Sequence, residues 1–399
     1  MDPIKNPYAP GAGSPPPELA GRDKLREDVS VAIARIRAGR SAKSVILVGL
    51  RGVGKTVLLD RLKLDADAKG VFTVRAETPE KRSLPAVLAP QLRQLLLRLS
   101  REEKAKDLAM RGLRALAGFA KALKFKYDDI EVGFDIDPEA GLADNGDLEG
   151  DLTVVLEQLG HAAKKADTAA VLFLDELQYL QEDHFGALIA ALHRCAQKQL
   201  PLTMVGAGLP QLLALAGNAK SYAERLFDFP FIGALADRDA REALIKPANA
   251  EQVNLDEDAV EEILRLTHGY PYFLQEWGKH SWDVATGSPI TRNDVTVATT
   301  TAIAALDESF FRMRFDRTAP KEKDYLRAMA ELGPGPHRSG DIAQELHKAV
   351  STVAPLRQSL IAKGMIWSPA HGDTAFTVPL FDEFMKRIMP GDDWKTGHR

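Results

Sequence analysis

The segment from Lys43 to Lys63 reads KSVILVGLRGVGKTVLLDRLK. It constrains the chain more than any other stretch. SVILVG is a short β-branched apolar run, as expected of a strand buried on both faces. A loop holding two more glycines follows, then a lysine, a threonine and a second apolar run with helical period. Gly49, Gly54, Lys55 and Thr56 fit the pattern G-x-x-x-x-G-K-[ST], with a strand before and a helix after. Glycines let the main chain wrap an anion, and the amides and helix N-terminus then face phosphate. Gly49, Leu50, Arg51, Gly52, Val53, Gly54, Lys55 and Thr56 are the candidate phosphate-binding residues. Lys55 is expected to reach the β- and γ-phosphates and the Thr56 hydroxyl to ligate Mg²⁺.

A second apolar run, AAVLFLDE (169–176), ends in two acids. An acid at the tip of a buried strand can hold a metal, the role expected of Asp175. Glu176 is placed to polarise a water for attack on the γ-phosphate. The alternative is a solvated acidic pair capping the next helix.

Further strands are expected at 71–77, 201–208 and 229–235, with helices at about 24–38, 57–68, 84–99, 102–122, 151–165, 183–198 and 209–216. Strands alternating with helices predict a doubly wound, mostly parallel sheet. The segment from about 84 to 150 is long, and Lys55 and Asp175 stand 120 positions apart. KFKY and 130–137 within it read as a hairpin. This insert is either a partner-binding appendage or a surface decoration.

The chain resembles the AAA+ and related STAND-type P-loop ATPases, on GLRGVGKT and VLFLDE as Walker A and Walker B boxes. The branch it is most similar to holds archaeal-type ATPases and origin-recognition initiators. The resemblance implies ATP and Mg²⁺ as cofactors and assembly into a homo-oligomer on ATP binding. ELAGR (18–22) resembles the box whose Gly-Arg step lies near adenine, which implicates Arg22. Arg225, in SYAERLF, resembles the arginine that enters a neighbouring subunit's site; a surface salt bridge is the alternative. Two departures stand out. PLTMVG runs into Gly206-Ala207-Gly208 where many relatives carry a polar sensor residue. HGYPYFLQ (268–275) resembles the G-x-P lid motif without a second sensor arginine, leaving His268 to contact nucleotide or to cap a helix.

The implied organisation is an N-terminal arm (1–20), a P-loop ATPase core (21–236), a helical lid (237–318) and a winged helix-turn-helix (319–399). The last reading rests on three helices, at 321–332, 341–347 and 350–367, followed by a hairpin around Ala370–Asp373. Ser351 or Thr352 is the expected cap of the third helix and Gly364 its end. That helix would enter a major groove, with His347, Lys348, Ser351, Thr352, Arg357, Gln358 and Lys363 available. From 320 onward there are 11 Lys and Arg against 10 Asp and Glu, and the whole chain carries −4. No global field draws it to nucleic acid.

The expected function is an ATP-hydrolysing switch coupled to a winged-helix output, with double-stranded DNA as partner. The alternative is a nucleotide-gated protein scaffold with little turnover. A kinase is disfavoured by Glu176 beside Asp175. The single Cys195 excludes a disulfide framework and reads as a small core residue. No apolar run approaches the roughly 20 residues that span a bilayer, and the Pro- and Gly-rich N-terminus lacks the core of a signal peptide. A cytoplasmic location is expected.

Overall fold

In the computed structural model, which describes residues 1–11, 16–124, 126, 127, 129, 130 and 136–396, the chain divides into two compact units. One comprises Gly21–Gly49 and Gly54–Ile232; the other comprises Met1–Ala20, Leu50–Val53 and Gly233–Arg399.

The first unit opens with helix α1 (Asp23–Arg37) and strand β1 (Ser44–Gly49), which is buried along its whole length. Helix α2 (Lys55–Asp67) and β2 (Phe72–Glu77) follow. Next come α3 (Leu84–Leu99), α4 (Lys106–Leu123) and α5 (Leu148–Lys165). Then β3 (Ala170–Asp175), α6 (Glu182–Gln197) and β4 (Leu202–Gly208) complete the sheet's centre. The unit closes with α7 (Leu212–Ala219), α8 (Ala223–Leu226), β5 (Phe227–Asp228) and β6 (Phe231–Ile232). The sheet order is β2-β3-β4-β1-β5, with β6 also on β1. Every pair is parallel, as the apolar, non-alternating strands predict. The predicted strand 229–235 is instead two short pairings on β1, since Pro230 cannot donate to a ladder.

Parallel neighbours put the tips of β1, β3 and β4 at one edge. Glu77 stands opposite Asp175 in register, and Leu174 opposite Gly206. That edge carries the site.

The long segment after β2 is no surface decoration. Leu92, Leu95, Leu96 and Leu99 of α3, and Leu113, Leu116, Phe119 and Leu123 of α4, are fully buried in the same core cluster as the sheet. Ser83 starts α3 by accepting from the Ala86 N–H, and Asp129 holds Ser83 through its hydroxyl (2.8 Å) and its N–H (2.7 Å). Asp147 caps α5. The expected hairpin of KFKY with 130–137 lies largely outside the described residues. Cys195 is buried in this core, and burial pushes its thiol up to about 12, which keeps it unreactive.

The second unit holds α9 (Asp237–Ala250), α10 (Glu257–Thr267), α11 (Pro271–Val284) and α12 (Arg292–Ala305). The first residues of the chain dock on these helices rather than standing free as an arm. Tyr8 is buried, its hydroxyl donates to the Leu244 carbonyl at 2.6 Å, and its ring fills the space above Gly278. A π turn, Leu306–Phe311, and α13 (Arg312–Phe315) lead on to α14 (Pro320–Glu331). There follow β7 (His337–Arg338), α15 (Ser339–Glu345) and α16 (Val350–Ala362). The strands β8 (Ile366–Trp367) and β9 (Asp373–Phe376) and helix α17 (Phe381–Ile388) come last before the C-terminal turn.

β7, β9 and β8 form a three-stranded antiparallel sheet, and Gly372 turns the hairpin at φ 82°. Gly364, at φ 66°, follows α16 as expected. The expected cap is wrong: Ala349 holds that position and gives no side-chain bond, because the helix starts at Val350 and takes Ser351 and Thr352 into its first turn. The buried Glu322 carboxylate fixes α14 to α16. It accepts from Lys363 Nζ (2.6 Å), Ser359 Oγ (2.6 Å) and the Ala319 N–H (2.7 Å). Burial pushes this carboxyl up, but these donors outweigh burial and hold it below the usual range. Among the described residues no helix is long and apolar enough to cross a membrane.

Candidate nucleotide site

The glycines of the loop are dictated by backbone angle. Gly52 and Gly54 sit at φ 82° and 87°, where a β-carbon is strained. Gly54 is the N-cap of α2, so Lys55 and Thr56 form the first turn of that helix. Lys55 is buried at 8% exposure. Gly49 ends β1. Within the second unit, the Arg51 carbonyl accepts from the Tyr270 hydroxyl and the Gly52 carbonyl from the Tyr272 N–H. Burial pushes the Tyr270 phenol up, so it stays a donor at neutral pH. A β-carbon on Gly52 would come within 3.1 Å of the Tyr270 ring.

Asp175 ends β3 at 3% exposure. Its Oδ2 accepts from Thr56 Oγ1 at 2.8 Å and from Arg75 Nη2 at 2.8 Å. Its Oδ1 accepts from the Glu176 N–H at 2.9 Å. Arg75, on β2, also holds Asp60 at 2.7 Å. The structure thus joins residues that stand 119 positions apart in the sequence.

Glu176 is half-buried and left-handed, at φ 57°. A non-glycine residue in that region is strained by about 1–3 kcal/mol. Thr78 holds the strained peptide: its hydroxyl donates to the carbonyls of Asp175 (2.9 Å) and Glu176 (2.8 Å). The Glu176 side chain accepts from Gln178 Nε2. The acids therefore do not cap a regular helix; a short 3₁₀ turn, Leu177–Tyr179, comes between them and α6.

The donor set fits a divalent cation held together with phosphate. One carboxylate and one hydroxyl oxygen meet at 2.8 Å, the sparse protein ligation Mg²⁺ takes when phosphates and waters complete its shell. Among the described residues no group of three or more His, Cys, Asp and Glu forms a self-sufficient metal cage.

The remaining expected residues belong to other elements than the loop and β3. Arg22 is the N-cap of α1. Arg225 is exposed on the four-residue α8 and makes no ion pair among the described residues. His268 is exposed, sits at φ 50° and ends α10 by donating its N–H to Leu264, a capping role. Gly269 after it is obligatory, since a β-carbon there would meet the Leu235 carbonyl at 2.6 Å. Three residues went unseen in the sequence: Arg75, Thr78 and Gln178. A lone cation inside VFTVRAE was a usable signal for Arg75; Thr78 and Gln178 gave none.

Residues 18–205 match the AAA ATPase domain family. Over those residues the chain is similar to AAA ATPase domains, and it has the parallel sheet and the phosphate loop of the P-loop fold that its sequence implies. Residues 308–385 match a domain of unknown function, DUF8462. A search of curated proteins finds no match. Among solved structures, the fold is similar to the Walker-type ATPase PABY2304 of Pyrococcus abyssi, at 16% identity and a TM-score of 0.56. That likeness covers 92% of this chain and 96% of that one. Aeropyrum pernix Orc1, solved in complex with DNA, is similar at 16% identity and a TM-score of 0.46, over 93% and 94% of the chains. The Thermotoga maritima RuvB Holliday junction branch migration motor is similar at 17% identity and 0.43, over 91% and 96%. At 16% identity the likeness to the Pyrococcus abyssi ATPase concerns the fold and nothing finer.

Proposed function

We propose that the AAA ATPase domain hydrolyses ATP and drives a switch whose output is the C-terminal segment 319–399, a winged helix docking a protein partner. The Thr56–Asp175 contact at 2.8 Å, with Glu176 one residue on, carries the catalytic part. Residues 49–56 hold the phosphates, and Lys55 neutralises the β- and γ-oxygens. Thr56 and Asp175 would hold Mg²⁺, which supplies charge neutralisation on the phosphates when bound. Glu176 accepts a proton from the attacking water. The water oxygen bonds to the γ-phosphorus as the bridging bond breaks, and ADP leaves with that bond's electron pair. Arg225, exposed and without an ion pair among the described residues, is free to enter a neighbouring copy's site in an ATP-bound oligomer. Arg22, the N-cap of α1, would contact the adenine.

The output reading rests on where the cations go. The outward residues of α16 are Val350, Ser351, Thr352, Ala354, Pro355, Gln358 and Ala362, none of them charged. Arg357 donates to Thr374 Oγ1, Ser368 Oγ and the Asp373 carbonyl, each at 2.9 Å. Lys363 is held by Glu322. A face without cations gains little from phosphate and suits a protein surface. Duplex DNA is the second reading, favoured by the order of three helices and a hairpin.

Titration with duplex DNA across salt, with and without ATP, separates the two. Each phosphate neutralised contributes about −0.9 to the slope of log K on log salt. Beside the helix, Arg338 and Lys348 are cations that make no ion pair among the described residues, so a slope no steeper than about −2 is expected. A slope of about −5 or steeper would establish DNA as the output.

A further inference from the structure

The end of β4 has no room for a polar side chain. A β-carbon on Gly206 would stand 2.4 Å from Leu177 Cδ1. One on Gly208 would stand 2.8 Å from both Gln178 Oε1 and Leu212 Cδ2. The 3₁₀ turn after β3 packs into the strand end, and these two glycines admit it. Leu177 fills the lower space and is fully buried. Gln178 takes the upper one.

The hydrogen bonds of Gln178 fix its orientation. The Leu209 N–H can only donate, and it lies 3.0 Å from Oε1. Oε1 must therefore face β4, which turns the Nε2 amide toward Glu176, whose Oε2 accepts from it. Both ends of the side chain are matched, donor to acceptor. A half-turn flip would set two acceptors against each other and two donors against each other.

We propose that Gln178 is the positioning residue for Glu176 in ATP hydrolysis, tying its carboxylate to the end of β4. It delivers, from the turn after β3, the polar contact that Gly206 and Gly208 cannot carry. The inference rests on the reading of Glu176 as the acceptor of the water's proton. With Oε2 held by the amide, Oε1 is left for the water. The carboxylate of a strained, left-handed residue would otherwise sample several rotamers, and misplacement of a catalytic group by an ångström costs rate steeply.

The test is steady-state ATP turnover by the full chain carrying Gln178→Ala or Gln178→Glu, with thermal melts as a check on folding. Gln178→Ala is expected to lower kcat by about 10- to 100-fold, with KM for ATP within about twofold of wild type. Gln178→Glu keeps the Leu209 bond but places a second carboxylate on Glu176. It is expected to lower kcat at least as far as Gln178→Ala does, because a carboxylate cannot donate to Glu176 and repels it. Adding Gln178→Ala to Glu176→Gln is expected to slow the enzyme no further. Wild-type turnover with both variants within twofold in kcat, or an equal loss from Gln178→Ala in the presence and absence of Glu176, would overturn the inference. A wild type that binds ATP without turnover would instead remove the Glu176 reading, and this one with it.

Discussion

Glu176→Gln is expected to lower ATP turnover by about 10²- to 10⁴-fold, the range for loss of a positioned general base. Nucleotide affinity should stay close to wild type. The amide is isosteric and keeps the left-handed backbone that Thr78 holds through two carbonyls. It cannot accept the water's proton. On the proposed reading affinity survives because the loop and Lys55, not Glu176, hold the phosphates. Single-turnover hydrolysis with equilibrium binding alongside checks both halves. Turnover within fivefold of wild type would mean that another group takes the proton, and a collapse in binding would mean that the acid is structural.

The second large effect concerns stability. Phe119→Ala is expected to destabilise the first unit by about 3–5 kcal/mol, the cost of removing a fully buried phenyl from a packed core. Phe119 is wholly buried, among leucines of α3 and α5 and the apolar strands. Natural domains hold only about 5–15 kcal/mol, so a loss of this size brings the unit close to unfolding. Urea denaturation followed by far-UV circular dichroism measures it. A loss below about 1 kcal/mol, typical of surface changes, would mean that the helices between β2 and β3 are an appendage after all.

That second case marks what the sequence could and could not convey. The phosphate loop was legible because its chemistry is local: glycines at positive φ, a lysine and a threonine within eight residues, a strand before and a helix after. Asp175 and Glu176 were legible because a doubly buried strand ending in acids has few other uses. The parallel sheet followed from strands that are apolar without alternation. The buried status of α3 and α4 was not legible, since an amphipathic helix looks alike on a core or on a partner. The partners of the cations in the C-terminal segment were not legible for a related reason. Arg357 and Lys363 read as available for phosphate, yet Lys363 is claimed by Glu322, 41 positions away, and Arg357 by the hairpin it precedes. Docking of the first residues on the helices of the second unit rests on partners far along the chain: Tyr8 on Gly278, Asn6 on Lys279 and Asp283, and Asp2 on Trp282. Gln178 shows the same limit within the site. The missing polar residue of β4 was visible as Gly206 and Gly208, but its substitute lies on another element and is found only in three dimensions.

The loop of residues 49–56 as a triphosphate cradle underlies everything else, and calorimetric titration with Mg²⁺ and ATP tests it most directly. Wild type is expected to bind with measurable heat and, at 100 times Kd, to gain about 2.7 kcal/mol of stability. Lys55→Ala, which removes the buried cation at the start of α2, is expected to lose both signals while keeping its fold. Wild-type protein that shows neither heat nor thermal protection, or a Lys55→Ala variant that binds as tightly as wild type, would contradict the assignment of this loop to phosphate.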